Sequence, residues 1–444
     1  MKFKRFTLAA VAGAVALSGA LVTTAASAAT EQFVPILSYR TGPYGPVGTP
    51  FADGFTDYLK LVNLQGGVNG VTIKYEECDF AYNTARGVEC YERLKDSYGG
   101  ASAVHPMSTG VTIATTEKAP EAKVPVIAAG YGPSEAMDGG VFKWNFPLLG
   151  TYVHGADALI QHFGKLEGGL SKLKGKKIAY IYHDSGFGKE PIPYLELRAA
   201  ELGFQLSLFP VAHPGLEQKS TWLKIRQLRP DYGIMWSWGV QTSTALKEAL
   251  ATGFPLNKLY GSWWSGSEVD TGDLGMRAKG YHSLALAAST GYDTQVVKNV
   301  LAKVYAKGEG TASDKAEVGS VLYTRGLAAA ALTVEAIRGA QAKYGKGKHV
   351  TGEQMRWALE NLNVDEKRIK QLGLEGALKP VSTSCADHNG GAYARIQTWD
   401  GKIWSATSDW IEPDNHVVKP YLKSAADTYA AAKGISRRAA SDCE

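Results

Sequence analysis

Signatures of chemistry are what this sequence has least of. It holds no GxSxG nucleophile elbow, no GxxxxGK[ST] phosphate loop and no GxGxxG dinucleotide turn. Gly42, Gly45 and Gly48 come at a different spacing and fit a tight turn before a helix. There is no CxxC and no HExxH, and His105, His183, His213 and His388 stand alone, which argues against a metal site. Asp53, Asp57, Glu76 and Glu77 fall where helix starts and strand ends want polar groups, so they read as structural rather than catalytic. No apolar run beyond residue 28 is long enough to span a bilayer. Charge excess is small as well: the formal net charge of +5 drops to about +2 without Lys2, Lys4 and Arg5, with both signs mixed along the chain. That excludes nucleic acid as the expected partner. The lysines from Lys165 to Lys177 lack interleaved aromatics and read as a solvated linker surface.

What is present begins with an export signal. Lys2, Lys4 and Arg5 precede an apolar run from Leu8 to Val22, and Ala26-Ser27-Ala28 supplies small residues for cleavage after Ala28. No Cys follows that position, so no lipid anchor is expected, and the mature chain is placed in the periplasm. About 415 residues remain, enough for two or three domains. All 4 cysteines lie in that part, in a compartment that permits disulfides. Three pairings are possible; sequence proximity favours Cys78 with Cys90, leaving Cys385 to hold the C-terminal tail through Cys443.

Apolar runs alternate with amphipathic stretches. The pattern predicts strands at Phe33–Ser38, Val71–Glu76 and Val124–Ala128, with helices at Phe51–Asn63 and Thr84–Leu94 between them. The rhythm resumes with strands at Lys177–Tyr182, Gln205–Phe209 and Tyr232–Trp236 and helices at Ile192–Leu202 and Leu216–Arg226. Helical patterns come next over 317–343 and 351–362, then a hairpin over 393–403 around Asp400-Gly401, and one helix beyond Pro413. Two successive βαβ runs imply an α/β fold of two parallel-sheet, Rossmann-like lobes with a binding cleft between them.

The stretch Ile36-Leu37-Ser38 through Gly42-Pro43, Gly48 to Gly54 and the loop from Asn63 to Gly70 resemble the opening of the type I periplasmic binding proteins of the branched-chain amino acid transport family. Cys78-Asp79, Pro106 to Gly110, Pro125 to Gly130 and His183-Asp184-Ser185-Gly186-Phe187-Gly188 fall where that family has them, and the similarity covers residues 33 to about 405. It implies a solute-binding protein, not an enzyme, without cofactor or metal. As a monomer, it would close two lobes on a small ligand and deliver it to an ABC permease and its ATPase subunits. The lobes implied are 29–152 with 285–383 and 153–284 with 384–410, crossing near Tyr152, Leu284 and Ser384, with 411–444 as a tail.

Position by position, the resemblance implies that the hydroxyls and backbone of Ser108 and Thr109, with the Gly130-Tyr131 backbone, hold a ligand carboxylate. A helix starting near Gly110 would add its positive end. Tyr44 or Val47 matches the first-lobe wall, Phe187 an aromatic shelf on the second lobe, and Trp238 the aromatic after the Trp236 strand. Amino acid binders carry an acid for the ligand's ammonium where this chain has Trp263, with Glu268 nearby as a second source of charge. Trp236, Trp238, Trp263, Trp264 and Phe187 then suit a flat apolar body with an anionic end, an aromatic carboxylate. The alternatives are a branched-chain or other amino acid, a sensory module, and, in another class, an exported hydrolase.

Overall fold

A computed structural model describes Met1 and residues 31–287, 289–290 and 293–443. The export signal, Met1 apart, lies outside the described residues.

The chain forms two lobes, each built on parallel strands. In the first, Glu31–Phe33 pairs with Thr72–Lys74, Ile36–Ser38 with Glu77–Asp79, and Val126–Ile127 with Asn145–Phe146. Bridges from Ile36 to His105 and from Val104 to Val126 carry the ladder across. The strand expected over Phe33–Ser38 is split, because Pro35 has no N–H to give. The next one is also divided, with Tyr75 and Glu76 between its halves.

Helix Gly45–Leu64 starts before the expected Phe51, since Pro46 in its first turn needs no N–H partner. It packs along Val321–Tyr344, the long helix expected from residue 317. Two glycines set how closely they cross: a Cβ on Gly54 would lie 2.0 Å from the Tyr323 carbonyl oxygen, and one on Gly326 2.1 Å from that of Phe51. No side chain fits either position without moving a backbone.

The second lobe is one seven-stranded sheet. Lys177–His183 lies between Gln205–Val211 and Tyr232–Trp236, followed outward by Leu259–Gly261 and His282–Ala285, all parallel. The hairpin of Arg395–Trp399 and Trp404–Ala406 closes that edge antiparallel. Helices Thr84–Leu94 and Ile192–Leu202 and strand Tyr232–Trp236 have the bounds expected. The lysine-rich stretch does not link the lobes. It runs from the last turn of helix Tyr152–Glu167 into strand Lys177–His183, and Phe163 of that helix stacks on Tyr232 of the same sheet at 4.2 Å.

The tail is the helix Asn415–Lys433. Ala426 and Ala430 join Ala136, Val141 and Phe142 in a small apolar cluster, while Tyr421 meets Tyr194 edge-on at 5.1 Å. Cys78 is bonded to Cys90, and Cys385 to Cys443, closing separations of 12 and 58 residues. Among the described residues, no helix is long and apolar enough to cross a membrane. No group of three or more His, Cys, Asp or Glu among them is placed to hold a metal ion.

Candidate functional site

The carboxyl ends of the parallel strands in the two lobes face each other, which is where open α/β sheets place ligand loops. From the first lobe come Tyr39, just past Ile36–Ser38, then Tyr82, the turn from Met107 to Thr109, and Tyr131. From the second come Phe187, Trp238 and Trp264, each a few residues past a strand of the sheet. Together with Tyr152 they line a narrow cleft.

The lining is aromatic and its rings brace one another. Trp238 meets Trp264 edge-on at 5.1 Å, Tyr39 meets Tyr82 at 4.8 Å, and Tyr152 meets Phe187 at 5.2 Å. Burial raises the pKa of the Tyr39, Tyr82, Tyr131 and Tyr152 phenols, so they stay neutral. The backbone is strained at the same place: Met107, Tyr82 and Ala81 take φ of 52°, 59° and 51°, unusual for residues with a side chain.

At the polar end, the Met107 amide donates to the Tyr131 hydroxyl at 3.0 Å, and that hydroxyl donates to the Ile127 carbonyl at 3.1 Å. Ser108 stands at the N-cap of helix Thr109–Thr116, yet its hydroxyl makes no capping bond to that helix. Thr109 Oγ1 lies 3.0 Å from the Tyr152 hydroxyl. The start of the helix thus presents amide donors and a positive dipole end to the cleft.

Of the residues singled out in the sequence, Ser108, Thr109, Tyr131, Phe187 and Trp238 line the cleft, and Tyr44, Val47, Gly130 and Trp263 stand outside its lining. Trp263 is fully buried and stacks on the back of Tyr152 at 5.9 Å. Its indole N–H donates to the Gly130 carbonyl at 2.6 Å, and that of Trp264 donates to the same oxygen at 2.9 Å. The Gly130 amide is engaged too, with the Leu148 carbonyl at 2.9 Å. Gly130 itself has φ +80°, and a Cβ there would come within 2.5 Å of Leu286.

Tyr44 and Val47 form a wall beside the cleft, packed where Gly239 of the second lobe approaches. The Tyr44 hydroxyl lies 2.8 Å from His183 Nε2 and 2.6 Å from His213 Nδ1. Burial, helped by neighbouring His213, lowers the pKa of His183 to about 4, so its ring is neutral at pH 7. A second link between lobes is Glu190, whose carboxylate accepts from the Ser134 amide at 2.7 Å and from the Ser134 hydroxyl. Glu268 is engaged away from the cleft, accepting from the Thr290 hydroxyl and from the Val321 amide at 3.1 Å.

Sequence reasoning missed Tyr39, Tyr82 and Met107, and took Tyr152 only as a hinge. All come just after strand ends or begin a helix, the positions from which the other lining residues were found. It also passed over Arg325, a cation in the buried, apolar first half of its helix. The guanidinium carbon of Arg325 lies 4.5 Å from the Trp264 ring centroid, on a side chain that is 1% exposed.

The sequence matches the family model for periplasmic binding proteins over residues 10–403. No curated protein matches it. A solved structure described as an ABC transporter permease from the Pseudomonas fluorescens group is 39% identical with TM-score 0.87, covering 93% of this chain and 100% of the other. A branched-chain amino acid ABC transporter protein from Thermus thermophilus with bound valine is 21% identical with TM-score 0.74, covering 88% and 98%. A solute-binding protein of an ABC transporter from R. palustris in complex with benzoate is 17% identical with TM-score 0.66, covering 86% and 97%.

Proposed function

The chain belongs to the periplasmic binding protein family, and on that premise we propose that its interlobe cleft captures a small aromatic carboxylate for uptake. It is a periplasmic solute-binding protein of an ABC transporter, a carrier and not an enzyme. The ligand class rests on one observation. The lining is seven aromatic side chains with Met107, Ser108 and Thr109, and it includes no carboxylate to pair with an ammonium. A buried ammonium without a partner costs several kcal/mol, whereas an aromatic ring is matched by the indoles and phenols around it.

In this reading the carboxylate sits against Ser108, Thr109 and the first amides of helix Thr109–Thr116, and the ring lies among Tyr39, Phe187, Trp238 and Trp264. Tyr131 completes the lining, and Tyr44, Val47, Gly130 and Trp263 support it from behind or beside it. The lobes close because only the closed form supplies both halves of the lining, so the ligand shifts the equilibrium by its differential affinity. We place the crossings near Tyr152, Leu284 and Ser384. The chain passes there from the ladder into helix Tyr152–Glu167, from strand His282–Ala285 toward the helices beside Gly45–Leu64, and back into the sheet at Arg395.

Thermal melting of refolded, ligand-stripped protein tests the reading, since a ligand selective for the native state raises the melting temperature. Benzoate and its ring-substituted relatives are expected to raise it, with valine and leucine inert. Stabilisation by valine or leucine and not by benzoate overturns the aromatic reading in favour of an amino acid site.

A further inference from the structure

Burying a guanidinium is costly because it carries five N–H donors and a permanent charge. Arg325 does so in the second turn of helix Val321–Tyr344, where it is 1% exposed. Its Nε and Nη1 have no hydrogen-bond partner among the described residues. The carboxylates whose charge it feels are Glu268 and Asp270, and both are engaged elsewhere. Glu268 serves Thr290 and Val321, and Asp270 accepts from the Ser267 amide at 2.8 Å and hydroxyl at 2.7 Å. On the cleft side, Arg325 lies against Trp264 and within electrostatic range of the Tyr39 and Tyr152 phenols, three lining residues. An unpaired cation thus stands one ring behind the cleft, where the low dielectric lets its field reach.

We propose that Arg325 is a specificity-determining residue of the cleft, its guanidinium favouring a ligand with an anionic group and disfavouring one with an ammonium group. This deepens the aromatic-carboxylate reading and rests on it. The charge acts through and around Trp264, so Arg325 also positions that ring by its cation–π contact. The two roles separate by ligand chemistry. A ring support serves benzoate and its neutral amide alike; a counter-charge serves only benzoate.

The test is calorimetric titration of wild type, Arg325→Met and Arg325→Lys with benzoate and benzamide. Wild type is expected to prefer benzoate by at least about tenfold. Arg325→Met is expected to lose about tenfold to a hundredfold in benzoate affinity, with benzamide within about threefold of wild type. Equal losses for both probes, or none for benzoate, overturn the counter-charge role while leaving the aromatic reading intact. Should Arg325→Met fail to fold, Arg325→Lys carries the test: it keeps the charge without the planar fork, so a benzoate-over-benzamide ratio within about threefold of wild type supports the role and its collapse overturns it. Wild type that binds neither probe overturns the aromatic reading, and this inference with it.

Discussion

Replacing Tyr44 by Phe removes one oxygen and nothing else, and it strikes a contact that exists only while the lobes touch. The hydroxyl serves His183 at 2.8 Å and His213 at 2.6 Å, giving its proton to one ring and receiving an N–H from the other. The losses are unequal. His213 is exposed and re-forms its bond with water, at almost no cost. His183 is 4% exposed, so its Nε2 is left buried without a partner, a penalty of about 1 to 3 kcal/mol. In an open form water satisfies the same atom, so the whole penalty falls on the closed form. At about 2 kcal/mol the closure equilibrium, and with it ligand affinity, drops about 30-fold. Calorimetry measures the affinity, and small-angle scattering of the ligand-free variant is expected to show a larger radius of gyration. Affinity within about twofold of wild type, with unchanged scattering, refutes the reasoning.

Other perturbations test other parts of the fold. Gly326→Ala drives a Cβ to 2.1 Å from the Phe51 carbonyl and should destabilise the first lobe by about 1 to 3 kcal/mol, read as a lower melting temperature. Cys443→Ser opens the 58-residue bridge and should cost about 4 kcal/mol by the chain-entropy relation, with early proteolysis of the tail helix; unchanged melting and affinity would remove any mechanical role for the bridge. Acid should weaken the fold in a defined window. Burial depresses His183, His154, His282 and His388 to about 4, so the unfolded chain binds more protons than the native one between about pH 6.5 and 4. Stability present above pH 6.5 is therefore lost as the pH falls through that range, and His183→Gln should flatten part of the decline in melting temperature.

Much of this was legible because periodicity reports burial directly. Strands such as Tyr232–Trp236, buried on both faces, read as unbroken apolar runs, and the helix Thr84–Leu94 was found from its amphipathic spacing, the structure adding an Asn83 side-chain cap at its start. Misreadings came where one residue's backbone chemistry overrode the pattern: Pro35 cut a strand, and Pro46 with Gly48 began a helix early. The site was half visible for a similar reason. Ser108, Thr109, Tyr131, Phe187 and Trp238 are found by looking just past the carboxyl end of each strand, but whether Trp263 or its neighbour Trp264 faces the cleft depends on where the loop turns after Gly261. No spacing rule carries that. Arg325 was hidden because a charge on a helix is read as solvent-facing, and only packing shows the first half of this helix enclosed on all sides.

The shared carbonyl of Gly130 has an optical consequence. Trp263 and Trp264 both donate to it from the opposite lobe, so separating the lobes strips two adjacent indoles of one acceptor together and admits water around at least one of them. Indole emission shifts to longer wavelength as its surroundings become more polar. The protein therefore carries an intrinsic fluorophore pair at the moving interface, and a blue shift on adding ligand, reduced by Trp264→Phe, reports closure without any label.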